Sequence, residues 1–171
     1  MTIDDLLAIE EIKNLRYGYA VHFDAHDLDS LMALFTEDAV CDFGAEYGRW
    51  IGRETIRANY RANLDQLGPS FSSLHVMANP WITLKGPTEA HGRWNLIDFL
   101  TQRSPQLQPG NGGAAGGPLL WLAVYEDDYR KVAGRWLMSY VKLHFLWPTS
   151  SFSELRHALT GEAGHEGAAS S

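Results

Sequence analysis

The order of elements in the sequence predicts an α+β fold. Apolar residues recur at helical spacing through the first 67 residues. From residue 71 to Pro148 the chain reads instead as long strands of β-formers, separated by Gly- and Pro-containing turns. An α/β chain would alternate helices and strands, whereas this one segregates them. The length of 171 residues and an apolar share of 45% suit one domain with a real core.

Each element has a local reason. Thr2 followed by Asp5 makes a helix N-cap with an acid in the first turn. Ile9, Ile12, Arg16, Tyr19 and Phe23 follow at helical spacing, so Tyr19 shares the core-facing side with Ile12. Asp27 caps a second helix that is expected to run through Phe35. "AVCDFG" and "EYGRWIG" read as a hairpin around Gly44 and Ala45. After Gly52, "RETIRANYRANLDQL" forms a third helix with Ile56, Tyr60, Leu64 and Leu67 on its apolar face; Gly68 and Pro69 stop it.

Long strands are expected at 71–85, 89–103, 119–132 and 135–147. "KGPTE", a Gly-rich loop at 105–118 and "AG" connect them. Pro80 limits pairing at its position, which calls for a bulge or an edge; a bend there helps a sheet curl around a cavity. The domain spans 1–149. Residues 150–171 form a C-terminal extension, with a helical turn at 150–159 and a tail expected to be partly disordered.

The bulk numbers exclude several function classes. A formal charge of −7 with no basic run disfavours nucleic acid and anionic membrane as partners. Cys41 is the only cysteine, so no intrachain disulfide can form and a reducing compartment fits. The N-terminus carries acids where a signal peptide carries Lys or Arg, and no apolar run reaches the ~18–20 residues of a membrane span. A cytoplasmic location is expected. No phosphate loop, nucleophile elbow or dinucleotide fingerprint occurs, and no cofactor is expected.

Candidate chemistry gathers on few residues. Strand alternation puts His75, Met77, Asn79 and Trp81 on one face. A buried histidine needs partners for its ring nitrogens. Beside an aspartate, His75 is a general base with a fixed tautomer; without one it is an ordinary core histidine. Asp24 is either that orienting acid or a turn residue between helices. Tyr19 either donates to a substrate oxygen or packs in the core. Asp98 lies in "NLIDFL", where desolvation raises a carboxyl's pKa and makes it a proton donor, unless a basic neighbour pairs with it. Gly92, Trp94, Leu96 and Asp98 share a face, as do Trp121, Ala123 and Tyr125, and Trp136, Met138, Tyr140 and Lys142. Such aromatic walls suit a flat apolar ligand or an oligomer interface. His22 and His26 are four apart, but no third metal ligand is evident, so no metal site is assigned. The Gly-rich loop is either a lid or a plain hairpin loop.

Several stretches together resemble one family. "YAVHFDAHDLDSLMALFTEDAV", the "G-R-E-x-I" helix start at Gly52–Ile56, "LHVMANPWI", "YEDDY" at 125–129 and "GRWLM" at 134–138 resemble the SnoaL-like group of the nuclear-transport-factor-2-like superfamily. The resemblance covers roughly residues 3–148. It implies a cone-shaped α+β barrel, with N-terminal helices packed on a curved antiparallel sheet. Members resembling scytalone dehydratase, bile-acid 7α-dehydratase and hexachlorocyclohexane dehydrochlorinase use an Asp–His pair on hydrophobic rings. The matching positions here are Asp24 and His75, with Tyr19 one turn before the acid and Asp98 on the next strand. Trp94, Tyr125, Met77, Asn79 and Lys142 complete the expected substrate contacts, with His144 competing for the Lys142 role. Ketosteroid isomerase, in the same superfamily, implies Asp42 as a further candidate. The implied function is a cofactor-independent dehydratase or isomerase acting on a hydrophobic cyclic molecule, as a homodimer or homotrimer. Other members are noncatalytic, including small subunits of ring-hydroxylating dioxygenases, so a ligand-binding or subunit-interaction domain is the alternative.

Overall fold

The computed structural model describes residues 1–101 and 119–147. The expected loop at 105–118 and the extension at 150–171 lie outside the described residues. Helix α1 (Ile3–Asp24) begins with a full capping box between Thr2 and Asp5. Ile12, Leu15, Arg16, Tyr19 and Ala20 form its buried stripe. Helix α2 (Leu28–Met32) is capped by Asp27, whose side chain accepts the Ser30 N–H. It stops before Phe35 because the sheet captures the chain first: the Leu34 carbonyl accepts the Met138 N–H at 2.9 Å. Phe35 therefore opens strand β1 (Phe35–Asp42).

The predicted hairpin forms, with the short helix α3 (Gly44–Tyr47) as its connection and β2 (Arg49–Ile51) as its second arm. Helix α4 (Arg53–Leu67) buries Ile56 and Tyr60. Four long strands follow: β3 (Ser73–Leu84), β4 (Glu89–Leu100), β5 (Leu119–Val132) and β6 (Arg135–Trp147).

All six strands make one open, curved sheet in the order β2-β1-β6-β5-β4-β3. The β3–β6 meander is antiparallel, as expected, but β1 joins β6 in parallel, so the sheet is mixed. Helix α1 packs across β3 and β6, and α4 packs on β1. The main core lies between these helices and the sheet; Ile12, Leu31, Phe35 and Met138 are fully excluded from solvent.

Two irregularities redirect side chains. The β3–β4 register shifts between Ala78 and Trp81, where Pro80 predicts it, and Asn79 adopts a positive φ of 50°. Beyond it, Ile82 and Leu84 turn inward while Trp81 is 75% exposed. The β5–β6 register shifts between Asp128 and Tyr129, opposite Ser139, and beyond it Val141, Leu143 and Phe145 take the inner face.

Gly92 is the most crowded of the described glycines. A Cβ there would lie 2.8 Å from Tyr129 Cε2 and 3.2 Å from Trp94 Nε1, both on rigid buried rings. Gly92→Ala is expected to destabilise the fold by about 1–3 kcal/mol, read as a lower urea midpoint at unchanged slope.

Candidate active site

A cavity of about 130 Å³ lies between the helices and the inner face of the sheet. This is close to the roughly 150 Å³ that encloses a benzene in an engineered protein core, so it suits a molecule built on one ring. Its lining is largely aromatic, with Phe23, Trp50, Phe71, Trp121 and Phe145 among its walls. Tyr19, Tyr60, Tyr125, His75 and Asp98 also face it.

Helix α1 ends at Asp24, whose carboxylate takes three hydrogen bonds from the start of β3. The His75 N–H donates to Oδ2 at 2.9 Å, and the Ser73 hydroxyl to Oδ1 at 2.8 Å. His75 Nδ1 meets Oδ1 at 2.6 Å. An ionised carboxylate has only lone pairs, so Nδ1–H is the donor, and in the neutral ring the free lone pair is on Nε2. Phe23 stands edge-on to the imidazole at 4.7 Å and fixes its plane.

Asp98 is opposite His75 across β3–β4, with Oδ1 3.6 Å from Nδ1. That oxygen is buried without a hydrogen-bond partner. The two acids diverge as a result. Burial pushes the Asp98 carboxyl up to about 6, which His75 only partly offsets and Asp24 reinforces. Burial opposes the Asp24 charge too, but the bonds from His75 and Ser73 outweigh it and hold Asp24 below the usual carboxylate range.

The Tyr19 and Tyr60 hydroxyls are 2.7 Å apart. Burial raises both phenols, and that of Tyr125, well above the ordinary tyrosine value, so all three remain neutral donors.

The structure therefore gathers Tyr19, Asp24, His75, Asp98 and Tyr125. The other expected contacts do not line the cavity. Asn79 is carried out of the strand face by the bulge at Pro80 and is exposed. Lys142 is turned off the inner face by the second register shift, and pairs across the sheet with Glu126. The same shift takes His144 to Glu126, at 3.2 Å. Met77 packs on the core without reaching the cavity. Trp94 is fully buried, and its indole donates to the Tyr129 hydroxyl at 2.9 Å. Asp42 accepts from Tyr140 and from the Gly44 N–H, and is likewise off the lining. His26 stacks on Phe71, and no three potential metal ligands converge among the described residues. Tyr60 was legible only as a core position of α4, and nothing local in the sequence signals its hydroxyl contact with Tyr19.

Asp98 makes the fold pH-dependent with a definite sign. Its folded pKa lies above the unfolded value of 3.8, so the unfolded chain releases the proton first and stability falls as pH rises from about 4 to 6. Asp98→Asn removes that loss. Urea unfolding should show the variant gaining on the wild type across this window, by up to about 3 kcal/mol, with no further change above it.

Comparison with known proteins agrees with this architecture. A scytalone dehydratase-like protein from Novosphingobium aromaticivorans superposes with a TM-score of 0.68 at 23% identity, covering 85% of this chain and 88% of the other. Hexachlorocyclohexane dehydrochlorinase type 3 from Novosphingobium barchaimii superposes with a TM-score of 0.66 at 18% identity, covering 85% and 90%. An aromatic ring hydroxylase-like protein, also from Novosphingobium aromaticivorans, gives 0.67 at 22% identity, covering 82% and 90%. At these identities the likeness is one of fold. No curated protein matches the sequence. The SnoaL-like domain family matches residues 4–142, from the capped start of α1 into β6, and the chain belongs to that family.

Proposed function

We propose that the chain is a cofactor-independent lyase of the dehydratase type, or an isomerase, acting on a small hydrophobic ring molecule. The observation that carries this reading is the 2.6 Å contact between Asp24 and His75 at the wall of an apolar cavity. Asp24 holds Nδ1–H, and Nε2 takes a proton from a carbon next to an activating group. The C–H electron pair forms the new double bond, and the leaving hydroxide or halide departs. Tyr19 or Asp98 is within the same cavity to protonate or hydrogen-bond that group. For an isomerase, the same base returns the proton to a different carbon. Proton transfer of this kind needs no metal or redox group, and a dry apolar wall strengthens each polar contact.

The test is turnover of cyclic β-hydroxy ketones and polychlorinated cyclohexanes, followed by loss of water or hydrogen chloride in the mass spectrum. His75→Ala is expected to lower kcat/KM about 10²–10⁴-fold with Tm changed by only a few degrees. Retained turnover in that variant, or no turnover of any ring substrate by the wild type, overturns the reading.

The alternative, a binding or subunit-interaction domain, is favoured by one feature. The outer face of the sheet exposes Leu74, Trp81, Phe99 and Leu120, with Leu74, Phe99 and Leu120 in one cross-strand row. A homo-oligomer covers that row with a second copy; an accessory domain covers it with a larger partner. Size-exclusion chromatography of the purified chain separates the two. A stable dimer or trimer supports the enzyme reading, and aggregation in the absence of a partner supports the accessory domain.

A further inference from the structure

Behind the cavity wall lies a buried cation. Arg16 is fully excluded from solvent. Its guanidinium carbon is 3.6 Å from the centroid of the Tyr125 ring and 4.3 Å from that of Tyr19. Both rings line the cavity and Arg16 does not. On its other side, Nε lies 3.4 Å from Oδ2 of Asp127, which is equally buried. That oxygen also accepts from the Tyr129 hydroxyl at 2.7 Å, and Trp94 donates to Tyr129 in turn. Nη1 reaches only the Met138 sulfur, at 3.5 Å, and Nε and Nη2 have no hydrogen-bond acceptor.

An ion pair satisfied this poorly is a weak stability device. Desolvating both charges offsets their attraction, and apolar residues of similar volume serve packing as well or better. What the pair adds is direction. The cation lies against Tyr19 and Tyr125, whereas the anion does not line the cavity and is held by the Tyr129 hydroxyl. Burial opposes the Arg16 charge, but the Asp127 carboxylate beside it favours it and holds the guanidinium above its ordinary value. Arg16 therefore stays charged at every working pH. Tyr19, Tyr60 and Tyr125 are neutral, so no formal charge stands between Arg16 and this side of the cavity. Asp127 beside Arg16 and the carboxylates of Asp24 and Asp98 across the cavity oppose its field.

We infer that Arg16 is a positioning residue of this site: its buried charge makes the tyrosine-lined side of the cavity favourable to a ring oxygen or halide that gains negative charge. The inference rests on the lyase or isomerase reading for its purpose, and it narrows the substrate class. The leaving or enolising atom of the ring lies against Tyr19 and Tyr125, and the acidic C–H lies toward His75. The carboxylates of Asp24 and Asp98 disfavour an anion on their own side, so the ring has one preferred orientation.

The probe is 4-nitrophenol, a single ring whose ionisation is visible by absorbance. Its pH titration is recorded free and bound to the full-length wild-type chain. Burial and the nearby carboxylates Asp24 and Asp98 would raise its ionisation pH. A dominant Arg16 field lowers it, and the expected shift is about one pH unit downward, a tenfold preference for the anion. In an Arg16→Met/Asp127→Leu double variant the downward shift is expected to vanish while the probe still binds. Asp24, His75 and Asp98 stand at the same cavity in both proteins, so the difference between the two reports the Arg16–Asp127 pair. Ionisation of the bound probe at or above its free value overturns the inference, as does an equal shift in both proteins or failure of the wild type to bind the probe. Should the double variant fail to fold, Asp127→Asn replaces it: removing the anion that offsets Arg16 is expected to lower the bound probe's ionisation further, and an unchanged value overturns the inference. No turnover enters the measurement. A downward shift alongside an active His75→Ala variant would remove the lyase reading and leave the field at Arg16 standing.

Discussion

The site depends on one carboxylate. Asp24 is the last residue of α1, and it binds the first residues of β3 through a backbone N–H, a hydroxyl and an imidazole. Hydrogen bonds to a charged acceptor stabilise by about 1.5–3 kcal/mol each, so this clamp is a main tie between the first helix and the edge of the sheet. It also sets where the rest of α1 meets the cavity. Tyr19 and Arg16 lie roughly one to two turns earlier on the same helix, and their rings and charges contact β5 only because the helix end is pinned. At Asp24, the tie between helix and sheet and the proposed orientation of His75 are one interaction. They separate at His75, whose side chain faces the cavity from an edge strand and can be removed without breaking the backbone bond to Asp24.

The clamp also divides protonation between two acids. Both carboxyls stand within reach of one imidazole nitrogen. Asp24 receives three donors and keeps its charge. Asp98 has an oxygen with no donor at all and resists ionisation until about pH 6. Two like charges sharing a low-dielectric wall push their ionisations apart, and the hydrogen-bond count decides which acid yields. The result is a fixed acceptor behind one imidazole and, on the cavity side, a carboxyl that keeps its proton to higher pH.

Local sequence carried the element boundaries well and the side-chain directions only in part. The Thr2–Asp5 capping box, the Asp27 cap and the Gly52–Gly68 limits of α4 were legible because caps and stops are local chemistry. Pro80 marked the bulge in β3, but Asn79 was placed by alternation across it, and alternation holds only up to the first irregularity. The bulge that turns Lys142 outward has no Pro or Gly beside Ser139 to announce it. The parallel pairing of β1 with β6 and the meeting of Asp24 with His75, 51 residues apart, are long-range events. The second was foreseen through family resemblance, not through spacing. Arg16 was read only as a position in the helical register of α1, and nothing local in the sequence names Asp127 as its partner.

Size and polarity together limit what can occupy the cavity. Among the described residues, and apart from ring hydroxyls and indoles, its polar side chains are Asn63, Gln66, His75 and Asp98. A polar ligand would lose more hydration than these groups return, whereas an apolar ring without polar atoms would leave Asp98 and the phenols unpaired. This balance supports the proposed ligand, a hydrophobic ring bearing a small number of polar atoms that meet the phenols on one side and the imidazole on the other. Under the proposed reading, a ring of that kind with an acidic hydrogen and a leaving or carbonyl atom is also one on which a positioned base is sufficient to act. The desolvation that selects the ligand and the orientation that presents its hydrogen to His75 then come from the same wall.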